Sequence, residues 1–102
     1  MSELPADLVA VDRPDLARFE LRRDDELLAF ADYTTHGDVL ELPHTVTVAA
    51  HRGQGHAGQL VAFALADIRR TGRRVIPTCW FVAQFIADHP EHADLVASGE
   101  GS

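Results

Sequence analysis

The chain has 102 residues, of which 46% are hydrophobic, 25% charged and 7% aromatic, and its formal net charge is −7. One domain of this length has room for one core, burying roughly 60–70% of its unfolded surface, and its single cysteine excludes an internal disulfide. All 9 cations are arginines, set against 16 carboxylates, a balance that disfavours non-specific binding to nucleic acid or anionic lipid.

Met1-Ser2-Glu3-Leu4-Pro5 lacks the positive n-region and apolar core of a signal peptide. The apolar stretches at 60–66 and 80–87 fall far short of the ~20 residues that span a bilayer. The expectation is a soluble, cytoplasmic domain, a monomer or weak dimer, with no nucleic-acid or membrane partner. Its single domain is placed at 9–97, between a tail at 1–8 and a frayed end at 98–102.

Up to position 52 the hydrophobic pattern has a period near two. A short strand over 8–11 ends at the Asp12-Arg13-Pro14 turn. Arg18-Phe19-Glu20-Leu21-Arg22 alternates, and the charged turn Arg23-Asp24-Asp25-Glu26 leads into a strand over 27–33. His36-Gly37-Asp38 makes the next turn, before a strand over 39–48. Strict alternation there puts Leu40, Leu42, His44, Val46 and Val48 on one face, and Val39, Glu41, Thr45 and Thr47 on the other. Pro43 cannot donate to a ladder, so the run has an edge or a bulge at that point.

Beyond position 52 the period becomes helical. Ala57, Val61, Ala64, Leu65 and Ile68 form one apolar stripe on a helix over 55–71. Arg69 and Arg70 suit the C-terminal dipole of that helix, and Gly72 its C′ position. A strand over 73–79 follows, with Val75 and Ile76 buried. A helix over 80–88 stops before His89-Pro90, because a residue preceding proline avoids the helical basin. A last short helix covers 91–97. Trp80, Phe81, Phe85 and Ile86 read as core, and Arg69, Arg70, Arg73 and Arg74 as a solvated helix end.

The segment that carries chemistry is His51-Arg52-Gly53-Gln54-Gly55-His56-Ala57-Gly58, between a strand and a helix. Three glycines remove side chains where the helix begins, so several N–H groups can point outward together and bind an anion. The helix dipole adds ~0.3–1 kcal/mol to such a site, and Arg52 at its mouth offers a charge-assisted contact. The plain alternative is a glycine-rich turn with one exposed arginine. No Lys-Ser/Thr pair follows the glycines, so this is not a Walker A loop. The Gly53, Gly55, Gly58 spacing matches the dinucleotide fingerprint, but antiparallel strands precede it and residues 75–79 contain no acid.

Arg52-Gly53-Gln54-Gly55-His56-Ala57 resembles the signature of the GNAT superfamily of N-acetyltransferases: Arg or Gln, two residues, Gly, one residue, Gly or Ala. His44-Thr45, and Ile76-Pro77-Thr78-Cys79-Trp80-Phe81-Val82 with His89-Pro90 after it, resemble the minimal, YjdJ-type single-domain branch. Residues 9–96 share in the likeness, with His56 and Trp80 at positions expected to vary. The resemblance implies an α+β domain with a truncated GNAT fold: a mixed, mostly antiparallel sheet with the helix after the loop packed on it. The strand at 73–79 would run parallel to that at 39–48 and splay from it. The resemblance also implies acetyl-CoA as cosubstrate, an amine acceptor (a protein tail or a small amine), and no metal. Main-chain groups of Arg52, Gly53, Gln54, Gly55, His56, Ala57 and Gly58 would hold the pyrophosphate, and those of Val46 and Val48 the pantetheine arm.

Cys79 and His44 are the candidate catalytic side chains. Cys79 is a nucleophile, a proton donor to the departing CoA thiolate, or a small buried hydrophobe. His44 is a base or a hydrogen-bonded core histidine. His51 and His56 read as exposed loop residues, and His89 and His92 lack a third ligand for a metal. The alternative function is an acyl-CoA-binding module with weak catalysis.

Overall fold

In the computed structural model, which describes residues 4–97, the alternating first half of the chain becomes a four-stranded meander. Its strands are β1 (Leu8–Arg13), β2 (Arg18–Arg23), β3 (Glu26–His36) and β4 (Val39–Thr47), each antiparallel to the next. Asp24 closes the β2–β3 hairpin at φ 54 and Gly37 the β3–β4 hairpin at φ 66, residue types that tolerate the left-handed region. After a 3-10 turn at Ala49–His51 come α1 (His56–Arg70), β5 (Arg74–Ile76) and α2 (Trp80–Asp88). β5 joins the edge of β4 in parallel, completing the sheet order β1-β2-β3-β4-β5. The expected frayed end at 98–102 and the start at 1–3 lie outside the described residues. No helix among the described residues is long and apolar enough to cross a membrane.

The core lies between the sheet and α1. Phe19, Leu21, Ala29, Ala31, Leu40, Leu42 and Val75 face Leu60, Val61, Ala64, Leu65 and Ile68, each almost without exposure. Burial of each leucine or isoleucine contributes ~1.5–3 kcal/mol, so this stripe decides where α1 docks. The helix ends in a Schellman motif: Gly72 sits at φ 74, its N–H bonds to Arg69 O, and the Arg73 N–H bonds to Ile68 O.

No described helix covers the opposite face of the sheet, and an arginine roof replaces one. Glu20, between Phe19 and Leu21 and so on the other face, has no exposed side-chain surface. Arg18 Nε donates to it at 2.7 Å and Arg22 Nε at 2.9 Å, while an Arg13 nitrogen lies 3.7 Å away. Burial pushes the Glu20 carboxyl up, but Arg22 and Arg18 together outweigh this and hold it below the ordinary carboxylate range. The aliphatic stems of these arginines shield the strands, and the Arg18 guanidinium lies 4.7 Å over the Phe30 ring.

Several expectations fail for local reasons. In β4 the pairs Asp32↔His44 and Thr34↔Glu41 set two steps of β3 against three of β4, so a bulge falls at Leu42–Pro43. Beyond it the faces exchange: His44 and Val46 turn outward and Thr45 and Thr47 are half-buried. β5 ends at Ile76 rather than 79, because Pro77 has no N–H to continue the ladder. In α2, Val82 and Ile86 take the inward positions, which leaves Trp80 on the far side, 75% exposed rather than core. The last helical segment is a 3-10 helix at Pro90–Leu95, shorter than expected. It is tied down by Asp94, which accepts from Arg69 at 2.7 and 3.0 Å, so Arg69 is not merely solvated.

Candidate functional site

The loop before α1 owes its shape to two left-handed glycines, Gly53 at φ 81 and Gly55 at φ 77. A Cβ at either would meet nothing within 4 Å, so these positions need glycine for conformation and not for lack of space. Gly55 is the N-cap of α1 and brings no side chain to bond its first turn. The N–H groups of His56, Ala57 and Gly58 have no carbonyl one turn back to receive them, and they open outward beside the exposed Arg52.

Histidines brace this loop from behind. His56 is the first residue of α1 and is buried, which corrects its reading as an exposed loop residue. Its Nδ1 lies 2.9 Å from Gln59 Oε1 and its Nε2 2.9 Å from Gln54 Oε1. His51 Nε2 is 2.6 Å from Glu26 Oε2, anchoring the 3-10 turn to the start of β3. Neither ring is free to meet a ligand.

Next to the loop, β4 and β5 part. Their register runs Val39↔Arg74, Leu40↔Val75, Glu41↔Ile76, and the last tie is the Cys79 N–H to Leu42 O at 2.9 Å. A cleft of about 450 Å³ opens there, lined by Thr45 and Thr47, by Cys79 and Phe81, and by Arg52 and Ala57 from the loop. Val46 and Trp80 stand at its rim. The splay expected between these strands is therefore present. Val48 donates its N–H to Leu28 O at 2.9 Å, and ladder alternation turns Val46 to β3 as well. Thr45 and Thr47, not Val46 and Val48, are left with main-chain groups towards the gap.

Cys79 is the N-cap of α2, with extended backbone at φ −70 and ψ 129. Its Sγ lies 3.7 Å from Thr45 Oγ1. Burial pushes the thiol up, but the Val82 N–H, the Thr45 hydroxyl and the Phe81 N–H favour the thiolate and bring it below its usual value. His44 is not brought to Cys79. Its side chain is 69% exposed beyond the bulge, with Nδ1 3.8 Å from Asp32 Oδ2, which overturns its place among core residues. Thr45 is the residue that the strand pattern missed, and the signal was Pro43: one extra residue there exchanges His44 for Thr45 on the cleft side. On the neighbouring turn, Thr78 donates to Glu41 at 2.6 Å and His36 Nε2 lies 3.1 Å from the other oxygen. The Thr78 and His36 hydrogen bonds hold the Glu41 carboxyl below its usual range. No group of three or more His, Cys, Asp or Glu that could hold a metal ion occurs among the described residues.

Residues 18–95 match the family model described as GCN5-related N-acetyl-transferase. The chain belongs to this family. Protein NATD1 of Bos taurus is 33% identical to it over 52 residues, which are 51% of this chain and 46% of that protein. The match thus spans just under half the length of that relative. As a GCN5-related N-acetyltransferase domain the chain is a truncated form of the fold: β1 and β2 follow each other through a short turn, and the mixed five-stranded sheet carries α1 on one face. The family ties it to acetyl transfer in general, for which acetyl-CoA is the usual donor.

Proposed function

We propose that the domain is an N-acetyltransferase that moves an acetyl group from acetyl-CoA to an amine by direct attack in a ternary complex. The observation that supports this best is the opening of the α1 amide cradle and the β4–β5 gap into one cleft. Amides from Gly53 to Gly58, with Arg52, would bind the pyrophosphate. The main chain of Thr45 and Thr47 would receive the pantetheine amides, with the thioester near Cys79. A thiol held below its usual pKa is both a better acid and richer in thiolate. Because the amine attacks directly in the ternary complex, Cys79 is given the proton for the departing CoA thiolate and not the acetyl group.

The acceptor must be neutral to attack. A lysine side chain with pKa ~10.4 is neutral about once in 2,500 molecules at pH 7, a handicap of ~4.6 kcal/mol, whereas an α-amine is handicapped by about one unit. The described residues lining the cleft include no carboxylate and no imidazole. An amine of low pKa, such as an α-amine of a protein tail or a small molecule, therefore fits best. The same want of a base favours the second reading, an acyl-CoA-binding module with weak catalysis. Initial rates of CoA release over a panel of amines separate the two. Intersecting double-reciprocal lines, with α-amines ahead of lysine side chains, support the first; saturable acetyl-CoA binding with no amine-dependent release supports the second.

A further inference from the structure

We propose that the buried ring of His56 is a cationic support of the anion site. It takes up a proton from water as the ligand's pyrophosphate seats on the α1 amides, so that acetyl-CoA and a proton bind together. This rests on the amide cradle proposed above and adds to it a side chain that acts through its charge, without touching the ligand.

Three observations carry this. First, His56 is 5% exposed, a buried titratable side chain for which the acetyl-transfer chemistry has no use. Second, both its ring nitrogens face oxygens, Nδ1 at 2.9 Å from Gln59 Oε1 and Nε2 at 2.9 Å from Gln54 Oε1. An amide oxygen only accepts, so this arrangement is satisfied when both nitrogens donate, which is the imidazolium form. A neutral ring keeps one acceptor nitrogen, and one glutamine must then turn its amide to donate to it; Gln54, being exposed, can do so. Third, the charged ring has no counter-ion among the described residues. α1 carries no acidic residue in its first turn. The titratable groups around the ring are His51, with centroids 6.2 Å apart and its Nε2 bonded to Glu26, and Arg52 on the loop. Beyond Gln59 lie His89, Glu91 and His92, across a groove that Gln59 lines. None of these bonds to the ring, whose two nitrogens are taken by the glutamines.

A cation buried at a helix N-terminus is opposed by desolvation and by the positive end of the dipole. His56 is the first residue of α1, and its own N–H belongs to the cradle. A pyrophosphate bound there therefore brings the missing negative charge to within about one residue of the ring. Since the anion favours the protonated ring, the protonated ring must favour the anion by the same factor.

The test is calorimetric titration of the full chain with acetyl-CoA from about pH 6 to about pH 8.5, in paired buffers of different ionisation enthalpy, which counts the protons taken up. Wild type, His56→Gln and His51→Gln are compared; glutamine keeps a polar side chain at either position but cannot be protonated. The phosphomonoester of the ligand titrates near ~6, a drift common to all three proteins that the comparison cancels. Wild type should bind on the order of tenfold more tightly than His56→Gln at the acid end, with the gap closing towards the alkaline end. Proton uptake should be lost in His56→Gln and kept in His51→Gln. Equal uptake in wild type and His56→Gln, or its loss in His51→Gln instead, overturns the role of His56 and leaves the amide cradle intact. Should His56→Gln fail to fold, ring-nitrogen chemical shifts of wild type saturated with acetyl-CoA at neutral pH decide. Two protonated nitrogens on His56 support the proposal, and a neutral tautomer overturns it. If wild type binds no acetyl-CoA across the range, the cradle itself is wrong and this role falls with it.

Discussion

Replacing Gly55 by valine perturbs the loop through its backbone alone. At φ 77 the residue is in the left-handed region, where an L side chain costs ~1–2 kcal/mol, and a β-branched one no less. No atom lies within 4 Å of the added Cβ, so no clash obscures this strain. The variant either keeps the strain or relieves it by rotating Gly55 out of the left-handed region, which turns the first amides of α1 away from their common point. Restoring the cradle on binding then costs the same ~1–2 kcal/mol. Lost alignment with the helix dipole adds ~0.3–1 kcal/mol, and together these amount to roughly ten- to hundredfold weaker acetyl-CoA binding. Thermal unfolding should drop by about 4–8 °C per kcal/mol retained as strain. Gly55→Asn is the control, because asparagine tolerates this conformation and should keep most of the affinity. Calorimetric titration of the three proteins reads the result. Wild-type affinity in a valine variant whose thermal stability is also unchanged, so that no strain has been retained, would refute the role given to the loop.

Two further predictions follow from the same geometry. Rapid-quench mass spectrometry with acetyl-CoA and no amine should find no stoichiometric acetyl-Cys79, and Cys79→Ser should retain more activity than Cys79→Ala, since a hydroxyl can still donate a proton; an acetyl-Cys79 that passes its group to added amine contradicts this. Glu20→Gln should cost about 1–2 kcal/mol of folding stability, a figure already reduced for the water that reaches its three arginines. Because the Glu20 carboxyl is held below its unfolded value of ~4.3, its contribution is present above that pH and fades as pH falls through the folded value. Urea unfolding at pH 6 and pH 3 should therefore show the two proteins converging at low pH, and a difference independent of pH contradicts the roof of arginines as a charge network.

The parts of the fold that follow from period and punctuation were legible. The α1 stripe, the Gly72 terminus and the stop of α2 before His89-Pro90 stand where period and punctuation put them, while the parallel, splayed β5 was implied by the family resemblance and is shorter than the strand expected over 73–79. Pro43 signalled a disturbed ladder, but a single residue of slip in β4 is invisible in composition, and it decides which of His44 and Thr45 meets Cys79. The loop glycines were legible as an amide cradle because positive φ is what glycine supplies. The inward turn of His56 was not, since it depends on Gln54 and Gln59 reaching around the helix start to its two nitrogens. Trp80 was misplaced because hydrophobicity alone does not say which of two residues about half a turn apart, Trp80 or Val82, points inward. Nor could Glu20 have been expected inside, as an acid in a strand is usually solvated until three arginines from two strands close over it.

Mapping acetyl-CoA onto the backbone by amide chemical shifts tests the central claim most directly, because the claim is about which N–H groups the ligand meets. Saturating titration of the isotope-labelled chain should move the amides of Gly53, Gly55, His56, Ala57 and Gly58 most, as they receive the pyrophosphate. Thr45, Thr47, Phe81 and Val82 should follow as pantetheine and thioester enter the gap beside Cys79. Free CoA should reproduce the first group and weaken the shifts at Phe81 and Val82, where the acetyl group would sit. Saturable shifts confined to other surfaces, or no saturable shift at millimolar acetyl-CoA, would contradict the account.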